Sequence, residues 1–328
     1  MVYRVNRDPI IDDNSVLRVD ILRVENLVAK NQGQGEVSGY TSGGSAPGSN
    51  TVNVIEKYTL STDANATDVG DLTENRNALA GHSSSTHGYA SGGDRNPPYS
   101  PQRDTIDKFS FSVDGNATDV GNLIEGISYV AGQMSPVSGY TSGKGYSSIG
   151  DTIQKFPFSS DANATDVGDL TQARHTLMGQ TSSTHGYTSG GSNPGFSNVI
   201  DKFPFSSDAN ATDVGDLLEN LRSGSGQQSG ESGYVSAGEA PNPSPGVRNV
   251  IQKFPFSSDA NSTDVGDLTG VRYYNTGVSS TISGYSNGGW PPFTGQNTID
   301  KFPFASDGNA ADAGDLTRSS SNMAGQQV

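Results

Sequence analysis

"IDKFPFSSDANATDVGDL" occupies residues 200–217, and edited copies of it begin at five further places in the chain. The "KF" or "KY" pair that marks each copy starts at Lys57, Lys108, Lys155, Lys202, Lys253 and Lys301, at spacings of 47 to 51 residues. A second marker, "GY", begins at Gly39, Gly88, Gly139, Gly186, Gly233 and Gly284. Six units of about 49 residues match the length of a four-stranded propeller blade. One unit divides into four extended pieces. "TLMGQTSS" (176–183) is small and polar, as a strand crowded near an axis requires, and the glycines of "HGYTSGG" (185–191) mark a strand end. In "NVIDKFPFSS" (198–207), Asp201, Phe203 and Phe205 alternate with Ile200, Lys202 and Pro204, and "TDVGDL" (212–217) closes the unit. Pro204 has no N–H to give a ladder, so its nitrogen is expected at a gap or bulge; Thr59 and Ser110 stand there in other copies.

Composition agrees with a folded, strand-rich chain. Of 328 residues only 31% are hydrophobic, and Gly numbers 42 and Pro 16, yet 13 Tyr and 12 Phe recur at regular places. Units rich in Gly, Ser and Pro make poor helices, and no helical period is expected after residue 35. A propeller explains how few large apolar residues suffice, because each blade buries both faces against its neighbours. There are no cysteines, so disulfides and thiolate metal sites are excluded. A net charge of −15 disfavours direct binding to nucleic-acid phosphates and is read mostly as solvation. No apolar run approaches a membrane span, and "MVYRVNRDPIIDDNSV" lacks the apolar core of a secretory signal.

The two ends complete one unit between them. The first "GYTSGG" (39–44) lacks a preceding small strand, while "RSSSNMAGQQV" (318–328) matches "RHTLMGQTSS" (174–183) in position and character. The expectation is an all-β, six-bladed propeller over residues 36–328, closed by the C-terminal strand, which removes free sheet edges. Its units are 36–73 plus 318–328, 74–124, 125–171, 172–218, 219–269 and 270–317, after an N-terminal segment of residues 1–35.

"GYTSGG", a strand with an aromatic residue, and a strand followed by Arg (Arg76, Arg174, Arg272) resemble the kelch repeat. The glycine pair is kept at Gly43–Gly44, Gly92–Gly93, Gly190–Gly191 and Gly288–Gly289. It becomes Gly143–Lys144 and Ala237–Gly238 elsewhere, and the family's last-strand Trp is absent from every unit. The resemblance covers about 290 residues and implies a kelch-like fold; fold alone does not assign function.

Within "DANATDVGD" (161–169), Asp161, Asn163, Thr165 and Asp169 fall at positions 1, 3, 5 and 9 of a loop, a spacing of oxygen ligands that suits Ca²⁺. The spacing also resembles the calcium loops of integrin-type propellers, although Asp166 stands where those loops want Gly. Asn122 and Ala311 interrupt the set in other copies. The other reading is a turn whose Asp and Asn side chains cap their own backbone. Asn65, Asn116, Asn163, Asn210 and Asn261 open "NAT" or "NST" triplets, glycosylation acceptors in a eukaryotic secreted chain, but the turn already accounts for them. Catalysis finds little support. His87 and His185 repeat one another in "STHGY" without a recurring nucleophile or carboxylate partner, and no Gly-rich loop leads into a helix.

Strand parity separates two kinds of connection. The first-to-second and third-to-fourth turns emerge on one face and would form a repetitive acidic ring. The second-to-third loops emerge on the other and diverge: "GGDRNPPYSPQRDT" (92–105), "GKGYSSIGDT" (143–152), "GEAPNPSPGVRN" (238–249), "GGWPPFTGQNT" (288–298). These loops carry Tyr99, Tyr146, Phe196, Phe293 and the single tryptophan, Trp290. Proline-stiffened loops bearing aromatics present a contact surface. Tyr99, Trp290 and Phe293 are therefore the candidate interaction residues here; covering the blade tops is their other use.

In "VLRVDILRVE" (16–25) a five-residue pattern is said twice. Leu17, Val19 and Ile21 alternate as in a strand, whereas Leu17, Ile21, Val24 and Val28 also fit a helical stripe. Either way the apolar edge of Leu17, Ile21 and Val24 is too short to fold alone and points to packing on another chain, or on the propeller's own rim. "RDPIIDDNSVLRVDILRVENL" (7–27) resembles the N-terminal attachment segments of bacteriophage tail-fibre and related virion proteins, and the "DANATDVGDLT" units resemble repeats in structural proteins of tailed marine phages. These resemblances imply a non-enzymatic virion component. Residues 1–35 would contact other virion proteins, within a homo-oligomeric assembly, and the propeller would face a host-surface glycan or protein. A secreted, Ca²⁺-stabilised propeller that binds or cleaves carbohydrate is the alternative.

Overall fold

Each "GY" tyrosine is covered by the "KFPF" aromatics of the following unit, and that contact, made at every junction, turns a row of sheets into a ring. The computed structural model describes residues 35–48, 50–95, 102–145, 148–242, 246–290 and 295–328. Six four-stranded antiparallel sheets form the blades of a propeller. In blade four the strands Met178–Thr181, His185–Ser189, Val199–Pro204 and Thr212–Asp216 run from axis to rim in chain order. The innermost strands of blades two, three, five and six are Ala80–Ser83, Ala131–Met134, Ser225–Gln228 and Thr276–Ser279. Blade one instead takes Ala324–Gln327 from the far end of the chain. That strand pairs with Ser38–Ser42, setting Gln326 opposite Tyr40 and Gly325 opposite Thr41. The fold is therefore an all-β, six-bladed propeller closed by the C-terminal strand. No helix occurs among the described residues.

Tyr89 stacks on Phe158 of blade three at 4.7 Å and tilts against Phe156 at 5.7 Å. Tyr187 repeats this with Phe256 and Phe254, and at the seam Tyr285 meets Tyr58 at 5.9 Å while its hydroxyl donates to Leu60 O at 2.8 Å. Such pairs add roughly 0.5–1.5 kcal/mol beyond burial of their area. Pro204 lies past the end of the outer ladder, which stops at Lys202 opposite Thr212, so its missing N–H is not needed there. In every blade the outer strand bulges just before its glycine; in blade four Ile200 and Asp201 face Gly215 and Asp213, leaving Val214 as the extra residue.

The repeated phrase joins neighbours. Asn210 Oδ1 accepts from the N–H of Asp169 in the preceding blade at 3.1 Å, and Asn65 does the same for Asp315 across the seam. Lys155 reaches Asp208 of the next blade at 2.8 Å, and Lys301 reaches Asp63 at 2.9 Å. The turn acids are thus paired to the preceding blade and not merely solvated. Asp213, like its equivalent in every blade, behaves as a local cap, its Oδ1 accepting from Gly215 N at 3.2 Å.

Around the axis the inner strands touch backbone to backbone. A Cβ on Gly226 would lie 2.0 Å from Gly179 O, and Gly81, Gly132, Gly179, Gly277 and Gly325 each face the preceding blade's glycine oxygen as closely as 2.0 to 2.4 Å. Next to this girdle, buried amides bridge blades: Gln180 Nε2 donates to Tyr234 O at 3.2 Å and Gln326 Nε2 to Tyr89 O at 3.0 Å. His82 takes the glutamine's place in blade two, its ring bonded to Ser91 Oγ and Gln133 O.

The blades alternate in a second respect. Arg76–Asp107, Arg174–Asp201 and Arg272–Asp300 are fully buried ion pairs of 2.5–2.7 Å in blades two, four and six. Burial pulls the guanidinium of Arg174 below its usual range, opposed by the adjoining Asp201. Thr171 and Thr269 donate to the same carboxylates. Blades three and five carry Ile127 with Gln154 and Leu221 with Gln252 at those positions, and the glutamines accept from the backbone of Ile124 and Leu218. Charge, guanidinium and hydroxyl change together in these five blades, whereas blade one buries Glu56 with Thr317 donating to it and Ser320 in the arginine's place.

Candidate functional site

Six residues, one before each inner strand, draw the loop face together at the axis. Ala78, Tyr129, Thr176, Ser223, Tyr274 and Asn322 all have φ between +54° and +60°, the left-handed region. Each N–H donates to the carbonyl of its predecessor: Tyr129 to Ala78, Thr176 to Tyr129, Ser223 to Thr176, Tyr274 to Ser223, Asn322 to Tyr274 and Ala78 to Asn322, at 2.6–3.0 Å. Left-handed backbone at a residue with a side chain costs about 1 kcal/mol or more, so this closed ring of hydrogen bonds holds strain at one place. Side chains here differ from blade to blade, unlike those of the girdle below.

Tyr129 and Tyr274 belong to opposite blades, and their rings meet over the axis at 6.0 Å between centroids, tilted by 57°. Tyr273 packs on Tyr274 at 4.9 Å. Trp290 is held beside Tyr273 by reciprocal backbone bonds of 2.7 and 3.2 Å. These four rings, with Asn77, Asn322 and neighbouring small residues, line a well of about 240 Å³ open to the loop face. Beneath the two axial tyrosines lies a chamber of about 90 Å³, reached by Ser223 and Asn275. Asn77 donates through Nδ2 to Ser45 Oγ at 2.5 Å, while its buried Oδ1 has no hydrogen-bond partner; Ser223 Oγ and Asn275 Oδ1 are likewise unpaired. Burial raises the Tyr273 hydroxyl, with Glu239 adding to the effect, so it stays a neutral donor.

Of the residues singled out by sequence, Trp290 sits in this well. Leu17, Ile21, Val24, Tyr99 and Phe293 lie outside the described residues, as does Tyr146. Phe196 lies away from the well, under the Arg222 guanidinium at 4.2 Å. Tyr129, Tyr273 and Tyr274 were missed. Aligning the copies places Tyr129 and Tyr274 at one equivalent position before the inner strand, where Ala78, Thr176, Ser223 and Asn322 stand in the other blades.

The calcium-loop spacing is not realised. Asp161 Oδ1 is held by the ammonium of Lys108 at 2.8 Å, and Asn163 Oδ1 by Asn122 N at 3.0 Å. Residues Thr165–Asp169 form a strand, which at about 3.3 Å per residue carries Asp169 roughly 13 Å from Thr165 instead of curling it back. Asp169 sits near Asp151 and Asp166, and burial, more than those two charges, raises its carboxyl. Among the described residues no group of three or more His, Cys, Asp or Glu is placed to hold a metal ion. His87 and His185 each bond the preceding threonine hydroxyl at 2.8 Å on the turn face, remote from the well.

No family model matches the chain, and neither does any curated protein.

Proposed function

We propose that this chain is a display module, a kelch-like propeller serving as a non-enzymatic structural component of a tailed-phage particle. It would be tethered by its N-terminal segment and present its loop face to protein or host surface. One observation carries this reading: Gly35, the first described residue, and the variable loops are on opposite faces. Gly35 is buried against the turn-face end of blade six, its N–H donating to Ser279 O at 2.7 Å. Trp290 and the axial well open on the other face. A chain anchored through the segment that precedes Gly35 would turn its variable loops away from the anchor. The tail-fibre-like phrase at residues 7–27 supports a virion as the anchoring body, with several copies per assembly, and the charge of −15 suits exposure at a particle surface over contact with packaged nucleic acid.

The test uses the full chain. Replacing Leu17, Ile21 and Val24 together by Asp should leave the melting temperature unchanged and remove the protein from purified particles. Wild-type incorporation of that variant would overturn the tether.

A further inference from the structure

We propose that the axial well binds a single neutral sugar ring, such as the terminal residue of a glycan. This names the ligand of the loop face and rests on that face being the one presented. Four aromatic rings, Tyr129, Tyr273, Tyr274 and Trp290, supply apolar faces of the kind that cover the C–H side of a pyranose. The polar groups among them are amides and hydroxyls; no ionised side chain lines the well, and the chain's net charge of −15 opposes an anion. A sugar offers hydroxyls that both donate and accept, which suits a wall that carries donor hydroxyls and one unpaired acceptor. Asn77 Oδ1, itself on a residue 3% exposed, is an acceptor left without a partner at the wall. An unsatisfied buried polar atom is unfavourable, so a hydroxyl that reaches it is favoured over an apolar ligand. A volume of about 240 Å³ is below that of drug-sized sites and takes one ring, not an extended chain. The left-handed backbone at Tyr129, Tyr274 and Asn322 holds the walls in place before any ligand arrives.

Trp290 is the single tryptophan of the chain, so its emission reports on this well alone. Methyl glycosides of glucose, galactose, mannose and N-acetylglucosamine, titrated at millimolar concentration into the full chain, should include at least one that changes the emission saturably. The control variant is Tyr129→Thr with Tyr274→Ser, residues that blades four and five carry at the equivalent positions. It should keep its melting temperature and bind that glycoside about tenfold more weakly or worse. Silence with every glycoside, or equal affinity in the folded variant, overturns the proposal. Adsorption of the protein to cells separates this from the display reading. Cells bound without any glycoside response would remove the sugar site and keep the display role; glycoside binding without adsorption would do the reverse.

Discussion

Lys301 Nζ lies 2.9 Å from Asp63 Oδ1, joining the sixth blade to the first across 238 residues of chain. Equivalent pairs link the other junctions, from Lys57–Asp114 to Lys253–Asp307. Each is partly exposed, so its share of stability is small. The seam depends far more on the strand Ala324–Gln327 and on Tyr285 packed against Tyr58.

Lys301→Ala should therefore lower stability by less than about 1 kcal/mol. Deleting residues 324–328 uncovers the edge of Ser38–Ser42 and should abolish cooperative melting or drive edge-to-edge association. Calorimetry with size-exclusion chromatography checks both; a deletion that stays monomeric with a wild-type melting temperature would contradict ring closure by this strand.

The buried pair of Arg174 and Asp201 should be intolerant of half-removal. Arg174→Leu leaves Asp201 uncompensated and should cost about 3–5 kcal/mol. Combining it with Asp201→Gln and Thr171→Leu reproduces the set used by blade five, Leu218, Leu221 and Gln252, and should recover most of that loss. Urea unfolding of the single and triple variants decides it; equal stability of the two would refute the compensation.

Gly226→Ala places a Cβ 2.0 Å from Gly179 O and 2.9 Å from Gly179 C, both backbone of the preceding blade. The neighbouring blades have no room to recede, so a loss of about 2–3 kcal/mol or more is expected. Gly195→Ala, where nothing lies within 4 Å, is the control and should change the melting temperature little.

Stability should fall in acid through His82. Burial lowers its pKa from 6.5 to about 4. The unfolded chain then binds the proton more readily than the folded one between those values. Stability is complete above pH 6.5 and declines as pH falls towards 4, by up to about 3 kcal/mol. His82→Gln, with the side chain that blades three, four, five and one use at this place, should flatten much of that slope. Burial lowers His87, His175 and His185 too, so a residual slope remains. An unchanged pH profile in denaturant titrations would rule the assignment out.

The blade count, the four strands of each unit and the closing partner were legible because repetition exposes them. "GY" and "KF" recur at a fixed spacing, and the small strand missing before Tyr40 reappears at Gly325. The acidic phrase was legible as a turn, but its partners were not. Asn163 and Asp161 reach Asn122 and Lys108 of another blade, and no local spacing distinguishes such a contact from a cap or a cation loop.

What the sequence by itself determined, then, is the unit and its number, since strand alternation, glycine placement and turn chemistry act over a few residues. What only the tertiary structure decided is the loop-face well and the two-sided plan of the molecule. Tyr129 and Tyr274 meet because opposite blades converge on one axis, and Gly35 and Trp290 part because the strands between them run from one face to the other. Such relations arise when the ring closes, and a pattern repeated along the chain carries no trace of them.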